Sequence, residues 1–288
     1  MFGFLNIIKP KGITSHDVVS RLRKITQIKQ IGHTGTLDPF ATGVLPVCIG
    51  KATRLIEYLQ DDKEYLAEVQ FGKNTDTYDI DGQVTKVFDT KITEQEILEI
   101  LPNFRGEISQ LPPIYSAIKV NGKKLYDYAR KGETVEIQPR KVNITKLELL
   151  SFDKEKQLAQ IIVGCSKGTY IRSLAYDIGA KLNCGAYLSA LKRTKAGDFI
   201  IENAISLDDL HTKEDVLNNL INPLDVLQLP KRELTPEEYE RVSHGMSIYN
   251  NNTGENLSIV ILIYGGKIYA VGEVEQNKVL VKKVFTQV

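Results

Sequence analysis

The chain has 288 residues, of which 42% are hydrophobic and 25% charged, so it can bury a sizeable core without disulfide bonds. Its net charge of +1 gives by itself no indication of a polyanion partner, and its three cysteines form no CxxC pair, as is typical of a reducing compartment. No segment resembles a signal peptide or a membrane span, so we expect a soluble cytoplasmic protein.

Basic residues are concentrated in two stretches. Residues 1–60 hold eight Lys or Arg against three Asp or Glu, and residues 115–146 hold the same numbers, so each stretch has a net charge of +5. Such stretches suit a face that follows a phosphate backbone, although solvated surface is the commoner explanation.

The first half of the chain predicts both helices and strands. Apolar residues at helical spacing follow Thr14, which is a suitable capping residue. Strands are predicted at 65–71 and 83–88, and a capping box of Thr93 and Glu96 opens a second helix.

The middle of the chain continues this mixture. Strands are predicted at 142–150 and 158–163, a helix after Gly168, and an acidic helical stretch at 206–220. The apolar face of the helix after Gly168 comprises Ile171, Leu174, Ile178 and Leu182. Because no regular βαβ repeat is visible, the pattern favours an α+β fold.

The C-terminal part predicts a small β-rich unit. Strands are expected at 257–263, 268–274 and 279–285, and the first two are joined by a Gly265-Gly266 turn. We therefore expect two domains, a larger one at 1–230 and a module at 231–288.

The most unusual segment is GHTGTLDPFATGVLP at residues 32–46. Three glycines and two prolines surround a single carboxylate, Asp38, and Pro39 restricts Asp38 to extended geometry. A rigid polar loop of this kind is a plausible catalytic device, although Asp38 could equally cap backbone amides in a turn.

This loop resembles the signature of the pseudouridine synthases that act on the tRNA T loop. Three further segments agree with that family in order and spacing: KPKGITSHDVV at 9–19, YSAIKVNGKKLYDYAR at 115–130 and SKGTYIRSLAYDIG at 166–179. The resemblance runs over nearly the whole chain, and four separate motifs in the same order make chance agreement very unlikely. The resemblance implies a pseudouridine synthase fold, with a mixed, mainly antiparallel sheet and flanking helices.

The resemblance also implies roles for individual residues. Asp38 matches the catalytic aspartate, Tyr65 the tyrosine that stacks on the target uracil, and Arg172 the arginine that pairs with the aspartate. The substrate-binding positions, matched one by one, are His33, which takes the place of the flipped base; Tyr170 and Leu191 in the pocket; Lys9 and Pro10 beneath it; and Lys119, Lys123, Lys124 and Arg130 in an RNA-clamping insertion around 115–140.

The implied reaction converts uridine 55 of the tRNA T stem-loop to pseudouridine. The N1–C1′ bond breaks, the uracil turns, and the base is rejoined at C5. Substrate and product are isomers, so no cofactor is expected, and none of the four histidines has spacing suited to a metal. Asp79-Ile80-Asp81-Gly82 imitates part of a calcium loop but lacks two of its carboxylates. The module at 231–288 resembles, less specifically, the RNA-binding PUA domain.

Three other functions remain open from the sequence. A guide-RNA-directed pseudouridine synthase subunit would usually carry extra N-terminal residues and basic tails. A non-catalytic tRNA-binding or chaperone protein would not need Asp38, Tyr65 and Arg172 together. A base-excising glycosidase would usually need paired carboxylates or a water-activating group, and only Asp38 stands in this loop. We expect a monomer with no obligatory protein partner and no membrane association.

Overall fold

A computed structural model describes residues 1–116, 118–120, 122–133, 135–250 and 258–285, without the side chain of Lys124. The α-helices in these ranges are α1 (Ser15–Thr26), α2 (Glu94–Ile100), α3 (Leu125–Arg130), α4 (Ile171–Lys181), α5 (Lys213–Asn218), α6 (Pro223–Val226) and α7 (Pro236–Ser243). The strands are β1 (Gly3–Lys9), β2 (Ile31–His33), β3 (Thr42–Ile49), β4 (Lys63–Phe71), β5 (Lys73–Thr75), β6 (Val84–Val87), β7 (Gly106–Gln110), β8 (Lys119–Val120), β9 (Lys123–Lys124), β10 (Arg140–Asp153), β11 (Leu158–Cys165), β12 (Ala186–Ala196), β13 (Phe199–Ile200), β14 (Ile205–Ser206), β15 (Lys231–Glu233), β16 (Ile248–Tyr249), β17 (Ile259–Tyr264), β18 (Lys267–Glu275) and β19 (Lys278–Val284).

A ten-stranded sheet forms the framework of the larger part of the chain. Its strand order is β14-β1-β3-β12-β4-β11-β10-β7, with β2 paired to β3 and β13 to β12. Only the β1–β14 and β3–β12 pairs are parallel. The predicted α+β fold with a mixed, mainly antiparallel sheet is therefore confirmed.

Local sequence signals explain where the helices begin. Thr14 and Asp17 form a reciprocal capping box at the start of α1, and Thr93 and Glu96 form another at α2. Between 206 and 220 only short helical segments occur, Leu207–Asp209 as a 3₁₀ helix and α5, so the prediction of one helical stretch there was wrong. Thr212 and Asp215 form a capping box that starts a new helix at Lys213, so the segment is divided in two.

The second sheet begins at Lys231 and has the order β15-β17-β18-β19-β16. The predicted hairpin is present, with β17 and β18 joined by Gly265 and Gly266, both at positive φ. Residue 257, where this strand was expected to begin, lies outside the described residues, as do residues 117, 121 and 134 of the predicted insertion.

Strand β17 is buried on both faces because it lies between two cores. Val260 and Leu262 point into a core within the second sheet. Ile261 and Ile263 alternate with them and pack against residues of the larger sheet. The opposing apolar side chains include Phe4, Val44, Cys48, Leu55 and Phe199. The division at residue 230 thus separates two sheets that share buried surface, and their independence as domains stays a prediction.

In the described ranges, no helix is both long enough and apolar enough to cross a lipid bilayer.

The shared core predicts that the two sheets stabilise each other. Ile261 is fully buried, so Ile261→Ala should lower the free energy of unfolding by about 2–5 kcal/mol. Chemical denaturation followed by circular dichroism measures this change, and Tyr249→Ala, at an exposed residue of β16, is the control. If the larger sheet of Ile261→Ala unfolded at the same denaturant concentration as that of the unsubstituted chain, the two sheets would not stabilise each other.

Candidate active site

The loop that carries Asp38 joins β2 to β3 and is anchored to the start of α1. Ser15 Oγ accepts a hydrogen bond from the Leu37 N–H at 2.8 Å and donates to the Leu37 carbonyl at 3.1 Å. The Gly12 N–H donates to the Pro39 carbonyl at 2.8 Å. The loop is therefore held on both sides of Asp38 by hydrogen bonds to its backbone.

Lys9 supports the same loop from below and is fully buried. Its ammonium donates to the carbonyls of Pro10 and Ile13, each at 2.8 Å, and to that of Pro39 at 3.3 Å. Burial lowers the pKa of Lys9 to about 8, while the Asp38 charge acts in the opposite direction. Lys9 therefore contacts both the Asp38 loop and Pro10.

Arg172 lies at the start of α4 and contacts the Asp38 carboxylate through two of its nitrogens. Its Nε is 3.0 Å from Asp38 Oδ2 and its Nη2 is 3.2 Å from Asp38 Oδ1. The Arg172 side chain is 6% exposed, whereas that of Asp38 is 34% exposed and lines a cavity. The bidentate contact fixes the plane of the carboxylate and leaves it accessible.

Asp79 is the second carboxylate on Arg172, and sequence reasoning missed it. Its Oδ2 is 3.2 Å from Arg172 Nη1, and its Oδ1 accepts a hydrogen bond from Thr77 Oγ1 at 2.6 Å. Burial raises the pKa of Asp79, while the Thr77 hydrogen bond and the Arg172 charge oppose that rise. Asp79 belongs to the failed calcium motif. The acid-rich turn between two strands was the available signal, but nothing in it indicated a guanidinium partner 93 residues later.

Arg172 also donates to two backbone carbonyls, of Thr77 at 3.1 Å and of Tyr115 at 2.9 Å. Tyr115 belongs to the 115–140 region that the sequence identifies as an insertion. Hence α4, the Asp38 loop, the turn before β6 and the start of the insertion all meet at one side chain.

A cavity of about 340 Å³ opens above this pair. Its lining includes, besides Asp38 and Arg172, Tyr65 on β4, Leu191 on β12, Tyr170 before α4 and Ser116 in the insertion. Tyr65 and Leu191 are each 7% exposed. Burial raises the pKa of Tyr65, so its hydroxyl stays protonated at neutral pH.

His33 lies on β2, beside the Asp38 loop, and is not among the side chains that line the cavity. Its Nδ1 is buried without a hydrogen-bond partner among the described residues. Burial lowers its pKa, and the nearby charges of Arg193 and His16 lower it further, which favours a neutral ring.

Arg193 is a second residue that sequence reasoning missed. It is 1% exposed, it is the cross-strand partner of Tyr65, and it donates to the carbonyls of Val44 at 2.6 Å and Gly35 at 3.1 Å. Its charge and hydrogen bond oppose the rise in the Tyr65 pKa. Arg193 stands two residues after Leu191, so strand alternation could have placed both on the cavity face.

The basic residues of the insertion lie away from the cavity. Lys119, Lys123 and Arg130 are exposed and line no part of it. Lys123 Nζ is 5.9 Å from the centre of the Tyr128 ring. The predicted position at the Lys124 side chain lies outside the described residues. In the described ranges, no three His, Cys, Asp or Glu side chains are grouped so that they could hold a metal ion.

Comparison with known families gives two adjoining matches. Residues 23–171 match the family described as TruB family pseudouridylate synthase (N terminal domain). Residues 172–228 match the tRNA pseudouridylate synthase B C-terminal domain.

Among similar proteins, tRNA pseudouridine synthase B of Carboxydothermus hydrogenoformans is 45% identical over 99% of both chains. The protein of the same name from Caldanaerobacter subterraneus is 44% identical over 98% of this chain and 99% of its own. A solved structure described as an H/ACA RNP bound to a substrate RNA containing 2'-deoxyuridine is 28% identical, with a TM-score of 0.74 over 99% of this chain and 86% of that one.

The buried carboxyl of Asp177 on α4 should make the stability of the folded chain depend on pH. Burial raises the pKa of this carboxyl from 3.8 to about 6, and it has no hydrogen bond or ion pair with any described residue. The folded state therefore favours the protonated form, and the free energy of unfolding falls as the pH rises from 3.8 to about 6. Asp177→Asn should raise Tm at pH values above this window and leave it almost unchanged below the window.

Thermal unfolding at several pH values measures this effect, with Asp198→Asn, at an exposed carboxyl, as the matched control. A Tm gain in Asp177→Asn that does not vary with pH would rule out the burial of charge as its cause.

Proposed function

This chain belongs to the TruB family of pseudouridylate synthases, and we propose that it isomerises uridine 55 in the T loop of tRNA. It is a tRNA pseudouridine synthase, an isomerase. The observation that carries the proposal is the Asp38–Arg172 pair at the base of a cavity walled by Tyr65.

The size and lining of the cavity suit a single extruded nucleotide. A volume of about 340 Å³ is at the lower end of small-ligand sites. Tyr65 offers an aromatic face, and base–aromatic stacking is worth about 1–3 kcal/mol. Leu191 supplies an apolar wall. Once pulled out of the RNA stack, the uracil can therefore be held while its bond to the sugar is broken.

The charges suit breakage of the N1–C1′ bond. Asp38 and Asp79 share one guanidinium, so two carboxyl groups are paired with a single positive charge. When the bond breaks, its electron pair goes to the uracil and positive charge develops at C1′. A preorganised carboxylate beside C1′ stabilises that charge. The C5–C1′ bond then forms, the proton on C5 leaves, and N1 gains a proton, so no co-reactant is consumed.

Base flipping leaves a gap in the RNA stack, and His33 is suited to fill it. A neutral imidazole is flat and can stack without bringing an unpaired charge between bases. Burial and the nearby positive charges lower the pKa of His33, which favours this neutral form. Extrusion of the nucleotide costs a few kcal/mol, which contacts such as those of His33 and Tyr65 would offset.

The similarity to H/ACA ribonucleoprotein structures is also consistent with the alternative function, a guide-RNA-directed pseudouridine synthase subunit. The higher identity to proteins named tRNA pseudouridine synthase B over nearly their full length favours action on tRNA without a guide. We accordingly propose a monomer that needs no protein partner and works in the cytoplasm, where its tRNA substrate is found. The basic insertion and the PUA-like module would contact other parts of the tRNA.

The test uses the purified chain and an unmodified tRNA transcript. Pseudouridine at position 55, located by carbodiimide mapping, is the expected product. Conversion only after a guide RNA and partner proteins are added would support the alternative. Tight binding without conversion would indicate a tRNA-binding protein, and release of free uracil would indicate a glycosidase.

Asp38→Asn should abolish isomerisation and preserve tRNA binding. The change removes the charge and keeps the size of the side chain, so the cavity should stay intact. The single-turnover rate should fall at least about a thousandfold, equivalent to roughly 4 kcal/mol of barrier. A filter-binding Kd close to that of the unsubstituted protein serves as the control for folding. A variant that still isomerises at the original rate would remove Asp38 from the chemistry.

A further inference from the structure

Lys63 begins β4 at the edge of the cavity, and the reaction described above does not use it. It stands two residues before Tyr65 and therefore points to the same face of the sheet. Both side chains line the cavity. The Lys63 Cε is 3.5 Å from where a Cβ on Gly35 would lie, so the lysine runs along the loop that carries Asp38.

Lys63 makes no direct ion pair with a described residue, although the charges of Asp61 and Asp62 act on it. Its ammonium donates to the backbone carbonyl of Asp61 at 2.5 Å, and no carboxylate in the described ranges forms an ion pair with it. Neighbouring lysines differ in this respect. Lys167 is 2.6 Å from Asp61 Oδ2, and Lys195 is 3.1 Å from Asp62 Oδ2.

Lys63 also lies beside a second cation, Arg193. Burial lowers the pKa of Lys63 and the charge of Arg193 lowers it further, whereas the charges of Asp61 and Asp62 act in the opposite direction. Arg193 likewise has no carboxylate partner among the described residues. A partly buried unpaired charge is costly, and two on one wall suit an anion that arrives with the substrate.

We propose that Lys63 binds a backbone phosphate next to the target uridine while the uracil is stacked on Tyr65. The inference rests on the proposed function: before the N1–C1′ bond breaks, the uracil and the ribose are neutral, so the phosphodiester is the anionic group of the bound nucleotide. Residues two apart on a strand are separated by roughly 7 Å, which is about the reach from a base to its own backbone. Lys63 is therefore positioned for the phosphate when Tyr65 holds the base.

The neighbouring cations are less suited to this contact. Arg193 is almost fully buried, and its guanidinium is already committed to Val44, Gly35 and Tyr65. Lys167 is exposed at the rim and its charge is neutralised by Asp61. Among the contacts of the described residues, Lys63 uses one of its three N–H bonds, so two remain for phosphate oxygens.

The test is a double-mutant cycle that combines the change Lys63→Gln with the removal of a single phosphate charge from a T stem-loop hairpin. Kd is measured for Asp38→Asn and for Asp38→Asn combined with Lys63→Gln, so that no turnover occurs. The RNAs are the native hairpin and two hairpins in which a neutral methylphosphonate replaces the phosphate on the 5′ or the 3′ side of the target uridine. Lys195→Gln in the same background is the matched control, because Lys195 is ion-paired and does not line the cavity.

Lys63→Gln should weaken binding of the native hairpin roughly tenfold, as expected for one charged hydrogen-bonded contact. On one of the two methylphosphonate hairpins, it should cause no further loss. The slope of log K against log[salt] should become shallower by about 0.7–0.9, one phosphate contact. Lys195→Gln should change neither quantity by a comparable amount, and Lys63→Arg should restore binding.

The proposal would be overturned if Lys63→Gln weakened binding of all three hairpins equally. It would also be overturned if Lys63→Gln left the Kd of the native hairpin unchanged, or if Lys195→Gln raised that Kd as much as Lys63→Gln does. These outcomes are independent of catalysis. If the unsubstituted chain fails to make pseudouridine but the cycle shows coupling, the proposed function is wrong and the phosphate contact stands. If pseudouridine forms but the cycle is additive, the phosphate contact alone is wrong.

Discussion

The buried guanidinium of Arg172 is the interaction on which the site depends. It joins segments that are far apart in sequence: the Asp38 loop, the turn of Asp79, the start of α4 and the start of the insertion at Tyr115. A buried arginine without partners would be strongly unfavourable, and removing one member of a buried ion pair typically costs about 3–5 kcal/mol. Folding therefore places these segments together or leaves a charge uncompensated.

The surrounding framework makes this arrangement rigid. The Asp38 loop is hydrogen-bonded to α1 through Ser15 and supported from below by Lys9. Tyr65 and Arg193 are cross-strand partners, and Arg193 donates in turn to the carbonyls of Gly35 and Val44, on either side of Asp38. Catalysis by a fixed carboxylate requires such support, because small displacements of a catalytic group strongly lower the reaction rate.

Local sequence patterns predicted the parts of this structure that depend on local chemistry. The capping boxes at Thr14 and Thr93 mark the starts of α1 and α2 because they satisfy backbone N–H groups within four residues. The glycine- and proline-rich segment around Asp38 identified the candidate carboxylate, and the resemblance supplied Arg172 as its partner.

The missed features depend on contacts between distant residues. Asp79 looked like an incomplete calcium motif, because its partner is brought to it only by the packing of α4. Lys63 and Arg193 carried no functional signal in the sequence; strand pairing places Arg193 opposite Tyr65, and both residues line the cavity. The second sheet looked like a separate module, because alternating apolar residues in β17 indicate burial and do not reveal that the opposing surface belongs to the larger sheet.

Because Asp38 and Asp79 contact the same guanidinium, we infer that Asp79 acts on the reaction only by holding Arg172 against Asp38. The most direct measurement is a double-mutant cycle of Asp79→Asn and Arg172→Lys, read as single-turnover pseudouridine formation on tRNA, with tRNA binding and Tm measured for each variant. The lysine cannot reproduce the planar fork, so each single change should slow the reaction, and the double variant should be no slower than Arg172→Lys alone. Rate losses that multiply in the double variant would contradict the claim, because Asp79 would then act independently of Arg172.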